Sequence, residues 1–329
     1  MKASAATYKT YGRGADNSWV EIPSDLMCYT SHYDCDFYHS CDLFIKTEVN
    51  GLDMSHIMVE ATAAEVSAVA KTESRMVENS NMSVEYTRQE DERSMFTVTD
   101  KISGVSSDMA FSLKTYNPAT GNDDYSDTDN VASGAYIFKP KRGDMLKAPY
   151  TDFVNIETYN TTNTGVVQHV IYYSDAINSR SYIGLIHMKP NATTVEWEVQ
   201  LHGIPISDSD KLGKEVVVNW EMMNFNNSNT FYTDSNGLEM QKRVLNQRPD
   251  FTYTSDEAAS SNYYPINSAI AIRNLDNNMQ LTVMNDRSQG GAVLEDGSIE
   301  IMQNRRLLHD DQRGVNEALD EVDAAGEGI

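Results

Sequence analysis

The sequence has few cysteines, few basic residues and no long apolar run, and each shortage excludes a class of protein. Its three cysteines, Cys28, Cys35 and Cys41, have spacings that fit no four-ligand zinc site, so we expect one local disulfide or none. With 26 basic and 49 acidic residues, the formal net charge is −23, which argues against a nucleic-acid partner because phosphates would be repelled. No segment has the uninterrupted apolar length of a membrane span.

Sequence motifs of several enzyme classes are also missing. We find no phosphate-binding loop, no dinucleotide-binding fingerprint and no G-x-S-x-G nucleophile elbow. The first residues, MKASAATYKTYGRG, lack the apolar centre of a signal peptide. Taken literally, such a chain starts in the cytosol, and a truncated gene product fits as well. The acidic stretch EALDEVDAAGEGI near the C-terminus is typical of a solvated end.

Short segments with alternating apolar residues predict an all-β protein from Met82 onward. MSVEY places Met82, Val84 and Tyr86 on one face of a strand. Further strands are predicted for FTV, AFSLKTY, SGAYIFKP, VVQHVIYY, SYIGLIHM, VEWEVQLHGI and KEVVVNWEMM. Because there is no βαβ rhythm, many short strands between turn signals predict a large antiparallel β-sandwich. A chain of 329 residues with 40% hydrophobic content is long enough to build its core.

The first part of the chain is less regular. Residues 1 to about 57 carry dense Tyr, His, Asp and Cys, and no secondary structure is predicted there. Residues 58–79 are ambiguous because their alanines favour a helix, whereas pairing with neighbouring strands would favour a strand. We therefore divide the chain into an irregular segment, 1–77, and a β-domain, 78–329.

Three hairpins are predicted near the end of the chain. The first, in FYTDSNGLEMQKRVLNQRP, turns at 234–237, where Asn-Gly suits positive φ angles. In its second strand Leu238, Met240 and Lys242 share one face, and the alternate positions up to Arg243 share the other; the simplest interpretation is a half-exposed strand with a solvated polar face. The second hairpin joins SAIAIRN to MQLTVMN, and the third turns at Asp296-Gly297 between GAVLE and SIEIMQN.

Charged residues cluster in two later segments. NDRSQGG contains Asp286 and Arg287, and NRRLLHDDQRG contains Arg305, Arg306, His309, Asp310, Asp311 and Arg313. Paired acids can serve acid/base chemistry or bind a metal, but alternating Arg and Asp more often form an ion-pair network. Two further patterns carry weaker signals. His32-Tyr33-Asp34 could supply two metal ligands without identifiable others, and the glycosylation sequons permit a secretory protein; they lie at Asn81, Asn160, Asn191 and Asn226.

Several stretches together resemble glycoside hydrolase family 38, the class II α-mannosidases, and most of all the lysosomal type. They are SGAYIFKP (133–140), FYTDSNGLEMQKR (231–243), NQRPDF (246–251), SNYYPINS (261–268) and the run 280–314. The resemblance is most specific from Phe231 to Gly314, and a weaker similarity extends back to about Met76. Residues 28–60 resemble only faintly the segment where the family's central β-domain begins, so segment 1–77 would hold a remnant of it. Compared with the family, the β-domain 78–329 would be incomplete at its C-terminus. The resemblance covers the C-terminal β-rich half of such an enzyme, an antiparallel sandwich of the supersandwich-like, galactose-mutarotase-like kind.

In that family the catalytic centre lies in an N-terminal α/β domain. There His and Asp side chains bind zinc, which assists substrate distortion, and an Asp attacks the anomeric carbon in a retaining mechanism. We find neither the family's H-x-D-x-G-W segment nor its nucleophile here, because His32 and Asp34 are followed by Cys-Asp-Phe. The resemblance therefore implies no catalytic residue and no metal ligand in this chain, which would be inactive alone; the zinc would belong to a missing catalytic domain.

The resemblance also suggests roles for individual residues. Tyr136 and Arg243 would face the mannose cleft, where a phenol and a guanidinium can hydrogen-bond sugar hydroxyls. A second set would hold loops and the domain interface by charge-assisted bonds. It comprises Asp234, Arg287, Arg305, Asp310, Asp311 and Arg313.

Three functional hypotheses follow from these observations. The first is the β-half of a lysosomal or secretory α-mannosidase, acting on mannose-containing glycans with an N-terminal catalytic domain as partner. The second is a non-catalytic carbohydrate-binding or interaction module. The third is a truncated fragment that folds poorly because its interface is exposed.

Overall fold

Strands dominate the computed structural model, as the alternating apolar segments predict. The structure describes residues 6–13, 18–30, 39–47, 57–65, 71–90, 93–121, 131–141, 148–149, 152–161, 164–174, 181–201, 204, 206, 212–254 and 257–322. Within these residues the single helical element is a 3₁₀ turn, Ser260–Asn262. No helix in the described ranges is long and apolar enough to cross a membrane.

The strands before residue 150 are as follows: β1 Ala6–Arg13, β2 Trp19–Glu21, β3 Ser24–Thr30, β4 His39–Ile45, β5 Ile57–Glu65, β6 Lys71–Thr72, β7 Met76–Glu78, β8 Met82–Glu90, β9 Arg93–Asp100, β10 Val105–Tyr116 and β11 Ala148–Pro149. Those after it are β12 Asp152–Asn160, β13 Val167–Ser174, β14 Ser181–Met188, β15 Glu196–Gln200, β16 Lys214–Met222, β17 Thr230–Ser235, β18 Glu239–Val244, β19 Tyr264–Ile266, β20 Ala269–Asn274, β21 Met279–Met284, β22 Gln289–Glu295 and β23 Ser298–Arg306.

All of the described strand pairs are antiparallel, and the strands form several sheets. The largest has nine strands in the order β19-β22-β23-β16-β10-β9-β8-β7, with β11 also paired to β10. A five-stranded sheet runs β15-β14-β13-β12-β6, and a four-stranded sheet runs β18-β17-β20-β21. The N-terminal strands form a three-stranded sheet, β2-β1-β5, and the pair β3-β4.

One hydrophobic core joins the three larger sheets. It includes Phe111 of the nine-stranded sheet, Ile186 of the five-stranded sheet and Phe231 of the four-stranded sheet, all fully buried. Trp197 packs against this core and stacks on Phe111 with 4.6 Å between ring centroids. The burial of such aromatic side chains supplies much of the stabilisation of a sandwich, so the sheets pack as layers of one domain.

The opposite face of the nine-stranded sheet is also covered. Tyr116 of β10 and Val217 of β16 are fully buried there, and Phe138 and Ala259 pack against them from two connecting segments. Strand β16 is therefore buried on both faces, although it lies in an antiparallel sheet, which often has one solvated face. This covered face carries the candidate site.

The structure confirms most of the predicted strands and all three hairpins. Val84 and Tyr86 of β8 point into the core and Met82 packs against it. Strands β17–β18, β20–β21 and β22–β23 pair across the predicted turns. In the first turn Asn236 and Gly237 have φ angles of 53° and 71°, as Asn-Gly turns require.

Three predictions are corrected. SGAYIFKP is not a strand but a loop with isolated bridges, because side chains take up much of its backbone hydrogen-bonding capacity. The helical alternative for residues 58–79 is wrong where the chain is described, since Ile57–Glu65 forms β5 and pairs with β1. The N-terminal segment, predicted without secondary structure, contributes strands β1 to β4.

Candidate functional site

The site begins with a row of three residues across the nine-stranded sheet. The register places Tyr116 of β10 opposite Glu215 of β16, and Glu215 opposite Arg305 of β23. Directly opposed residues on neighbouring antiparallel strands lie close enough for their side chains to interact. Arg305 accordingly donates from a terminal nitrogen to Glu215 Oε1 at 3.1 Å.

This ion pair lies beneath the loop formed by residues 133–137, hereafter the 133–137 loop. Ser133 Oγ donates to Glu215 Oε1, and Arg305 donates to the carbonyl oxygen of Ile137 at 2.7 Å. Ser133 Oγ also accepts from the backbone N–H of Lys139 at 2.9 Å. One buried carboxylate and one guanidinium therefore bind the loop at both of its ends.

Asp311 holds the same loop from the other side. Its Oδ2 accepts from the backbone N–H groups of Tyr136 at 2.7 Å and Ile137 at 3.1 Å. Gly134 permits this approach, since a Cβ added there would lie 2.6 Å from Asp311 Cβ. The backbone of the loop is thus fixed, while the side chain of Tyr136 remains 68% exposed.

The buried pair Glu215 and Arg305, which supports the 133–137 loop, has unusual electrostatics. Burial raises the pKa of Glu215 more than Arg305 and Ser133 lower it. Glu215 Oε2 and Arg305 Nε are buried and have no hydrogen-bond partner within the described residues. The carboxylate is therefore fully desolvated yet uses one oxygen only, and most of its interactions are directed at Arg305 and the loop.

A second buried carboxylate supports the neighbouring aromatic residues. The phenols of Tyr116 and Tyr263 each donate to Glu300 Oε1 at 2.6 Å. Burial, followed by the charge of Glu300, raises the pKa of both phenols, so they remain protonated donors. Phe138 packs edge-on against Tyr263 with 4.6 Å between centroids, which joins the segment after the loop to this cluster.

Arg243 lies in a different cluster. Its Nε donates to Thr233 Oγ1 at 3.1 Å, and its guanidinium lies 4.2 Å from the ring centroid of Tyr264. Tyr264 packs against the main core. The segment that carries Tyr136 instead contacts Tyr263, through Phe138. That Tyr136 and Arg243 line one cleft stays a prediction.

Asp234 holds the first hairpin turn to the segment before β20. Its carboxylate accepts from the N–H groups of Gly237, Asn267, Ser268 and Ala269 at 2.8 to 3.1 Å. Burial alone would raise the pKa of Asp234, but these four donors outweigh it and lower the pKa below its usual value. These hydrogen bonds join the turn to that segment, and the role predicted for Asp234 in the domain interface stays a prediction.

The remaining members of the second set contribute less. Arg287 pairs with its neighbour Asp286 at 2.6 Å with both side chains exposed, and the hydrogen bond to Arg287 lowers the pKa of Asp286. Asp310 accepts from the N–H of Gln312, and its Oδ1 is buried without a hydrogen-bond partner in the described part of the chain. The N–H of Arg313 donates to Asp311 Oδ1 at 3.0 Å, which closes the turn beneath the 133–137 loop.

The other predicted sites vary in how far the structure describes them. Asn160, Asn191 and Asn226 are exposed, whereas Asn81 is half-buried and donates to the carbonyl oxygen of Asn191 at 2.8 Å. The backbone register places Cys28 opposite Cys41 in the pair β3–β4. The predictions concerning Cys35, His32 and Asp34 fall on residues outside the described ranges.

The described residues do not fit a zinc centre. No group of three or more His, Cys, Asp or Glu side chains within them could hold a metal ion. The acids of the site are instead engaged with Arg305, hydroxyls or backbone N–H groups. We therefore derive no chemical step through a metal in this part of the chain.

Sequence reasoning missed Glu215, Glu300 and Ser133. Glu300 alternates with isoleucines in SIEIMQN, a pattern typical of a solvated strand face, and Glu215 follows Lys214 at the polar start of KEVVVNWEMM. The unusual valine content of KEVVVNWEMM was a signal for a strand buried on both sides. Nothing local indicated which connecting segment covers it.

Fold and site together define an antiparallel, all-β sandwich domain that presents a firmly supported surface loop. The family model described as "Glycosyl hydrolases family 38 C-terminal domain" matches residues 77–313. The chain therefore belongs to glycosyl hydrolase family 38, in the C-terminal domain of that family.

Similar proteins are named lysosomal alpha-mannosidase. The one from Dictyostelium discoideum is 34% identical over 75% of this chain and 23% of its own length. Those from Homo sapiens and Mus musculus are 42% and 41% identical over 62% and 63% of this chain, and 18% and 19% of their own lengths. The chain thus spans about a fifth of the length of these relatives.

Proposed function

We propose that this chain is the C-terminal β-domain of an α-mannosidase that removes terminal α-mannose from N-glycans and oligomannosides. In this role it contributes residues to the rim of the mannose cleft and packs against an N-terminal catalytic domain. That partner carries the zinc ligands and the nucleophile of a retaining mechanism, and the assembled enzyme acts in the lysosome or the secretory pathway. The exposed ring of Tyr136 on a loop held by Asp311 and Arg305 supports this proposal most directly.

In this proposal the residues of the chain position the sugar and break no bond. The phenol of Tyr136 hydrogen-bonds a mannose hydroxyl, and its fixed backbone limits the entropy lost on binding. Arg243 offers a planar set of donors suited to paired hydroxyls, since its terminal nitrogens have no partner among the described residues. The net charge of −23 is compatible with a neutral sugar.

The first test is hydrolysis of a chromogenic α-mannoside by the purified 329-residue chain, with and without added zinc. We expect a folded sample that does not hydrolyse the substrate under either condition, because the reacting carboxylates lie elsewhere. Zinc-dependent hydrolysis would contradict the proposal and redirect attention to His32, Asp34 and the pair Asp310 and Asp311.

The exposed Tyr136 ring also supports a second function, a carbohydrate-binding module without catalysis. Aromatic side chains presented at a surface are suited to packing on sugars. Titration of the chain with α-linked mannobiose, together with a search of the adjacent coding sequence for a zinc-binding segment, separates the two functions. Binding in the absence of a catalytic segment favours the module.

A further inference from the structure

Glu215 is one of two fully buried ionisable groups that contact the 133–137 loop, and Asp311 is the other. The side chain of Glu215 has no exposed surface, and it lies on a central strand of the nine-stranded sheet. Burial of a carboxylate is costly unless the group is paired and hydrogen-bonded. Glu215 meets this requirement through one side chain of the loop, Ser133, and one residue that also binds the loop, Arg305.

The hydroxyl of Ser133 has a single proton and two acceptors within reach. One is Glu215 Oε1, and the other is the carbonyl oxygen of Ile137 at 3.1 Å. The carboxylate oxygen is the stronger and the nearer acceptor, so Glu215 takes this proton. The carbonyl of Ile137 then accepts from Arg305 at 2.7 Å and from the backbone N–H of Gly134 at 2.9 Å.

Glu215 therefore determines the hydrogen bonds at both ends of the loop, at Ser133 and at Ile137. It orients the hydroxyl of Ser133, and it holds the guanidinium of Arg305 where that group meets Ile137. Between these two anchors lies Tyr136, whose N–H is bound by Asp311.

We propose that Glu215 is a positioning residue that sets the conformation of the 133–137 loop and, through it, the direction of the Tyr136 ring. The inference rests on the proposed function in so far as Tyr136 contacts mannose. Its structural part, that Glu215 controls the loop, is independent of any ligand. The two parts can therefore fail separately.

Amide hydrogen exchange of the 329-residue chain tests the structural part. In Glu215→Gln, which keeps the shape but removes the charge, we expect the amides of Tyr136 and Ile137 to exchange about tenfold faster. The matched control is Asp234→Asn, a buried carboxylate that holds a different turn. It should accelerate exchange at Gly237 and at 267–269 while leaving the 133–137 loop protected.

A second variant keeps the test decisive if Glu215→Gln does not fold. Ser133→Ala preserves the Glu215–Arg305 pair and removes the hydroxyl link, and it should likewise accelerate exchange at Tyr136 and Ile137. Unchanged protection of these amides in a folded variant would overturn the proposal. Faster exchange confined to the loop supports it.

Kinetics of the enzyme assembled with its catalytic domain test the functional part. We expect Glu215→Gln to raise KM for a chromogenic α-mannoside about fivefold, as the loss of one well-directed hydrogen bond does, with kcat much less affected. An unchanged KM in Tyr136→Ala would contradict the proposed function while the exchange result still stood. An unchanged KM in Glu215→Gln, with Tyr136→Ala impaired, would overturn the positioning role alone.

Discussion

Two arginines of the four-stranded sheet, Arg243 and Arg273, provide a comparison at the scale of single residues. Each lies over a tyrosine ring, Tyr264 at 4.2 Å and Tyr232 at 4.8 Å. Arg273 also donates to Gln280 at 2.7 Å on an exposed surface. Both side chains stack on a tyrosine in the same sheet, but their surroundings differ. Of the two tyrosines, only Tyr264, under Arg243, packs against the hydrophobic core.

In the α-mannosidase proposed above, assembled with its catalytic domain, we predict that Arg243→Ala weakens hydrolysis of an α-mannoside about five- to tenfold, the loss expected for one or two hydrogen bonds. Bound zinc, measured by elemental analysis, should not change. Arg273→Ala serves as the control and should leave KM near the wild-type value. Equal kinetics for wild type and Arg243→Ala would remove Arg243 from the substrate site.

At the scale of elements, the hairpins depend on glycines whose φ angles are positive. Gly104 has φ of 74° and nothing within 4 Å of an added Cβ. Gly297, in the β22–β23 turn, has φ of 81°, and an added Cβ would lie 2.7 Å from the carbonyl oxygen of Met222. The first position needs glycine for its backbone angle alone, and the second needs it for both angle and space.

These two glycines give a matched prediction. Gly104→Ala should lower the free energy of unfolding by about 1 kcal/mol, the cost of a left-handed conformation. Gly297→Ala should lower it by about 3 kcal/mol or more, because the β22–β23 turn must also move away from β16. Urea denaturation of both variants checks the difference, and equal losses would show that crowding at Gly297 is relieved without cost.

At the scale of the whole molecule, burial of charge links stability to pH. Glu215 faces Arg305 and Tyr116, with Tyr263 and Glu300 further along the same cluster, and burial raises its pKa above 4.5. The folded state therefore holds the proton more tightly than the unfolded state. The contribution of this group to stability is greatest below pH 4.5 and falls as the pH rises through the folded-state pKa.

We predict that Glu215→Gln removes this part of the pH dependence. The difference in unfolding free energy, wild type minus variant, should decrease as the pH is raised between about pH 4 and pH 7. Comparing the two proteins cancels the contributions of other titrating groups to the pH dependence. One of these groups is Asp234, whose lowered pKa makes its stabilising contribution fall as the pH is lowered. Urea denaturation of both proteins at several pH values measures this difference in unfolding free energy. A difference that stays constant with pH would mean that Glu215 does not titrate in this range.

Sequence and structure agree where the signal is local, and residues of the first hairpin show this well. Asn236 and Gly237 indicated their turn directly, and Val84 and Tyr86 indicated their buried face by spacing. Asp234, Arg305 and Asp311 each hydrogen-bond a connecting segment, and the interface roles that the family resemblance suggests for them stay predictions. SGAYIFKP was assigned to a strand because its aromatic composition favours one, although the N–H groups of Tyr136 and Ile137 are bound by Asp311, far away in the chain.

The sequence by itself determined the all-β class, the hairpins and the family, because strand periodicity, turn residues and motif spacing are properties of neighbouring residues. Only the tertiary structure decided that the polar face of β16 is buried and that Glu215 supports the 133–137 loop. Ser133 lies 82 residues from Glu215, and Tyr136 lies 175 residues from Asp311. Contacts at such separations depend on how whole sheets and loops pack together, and no local pattern encodes that.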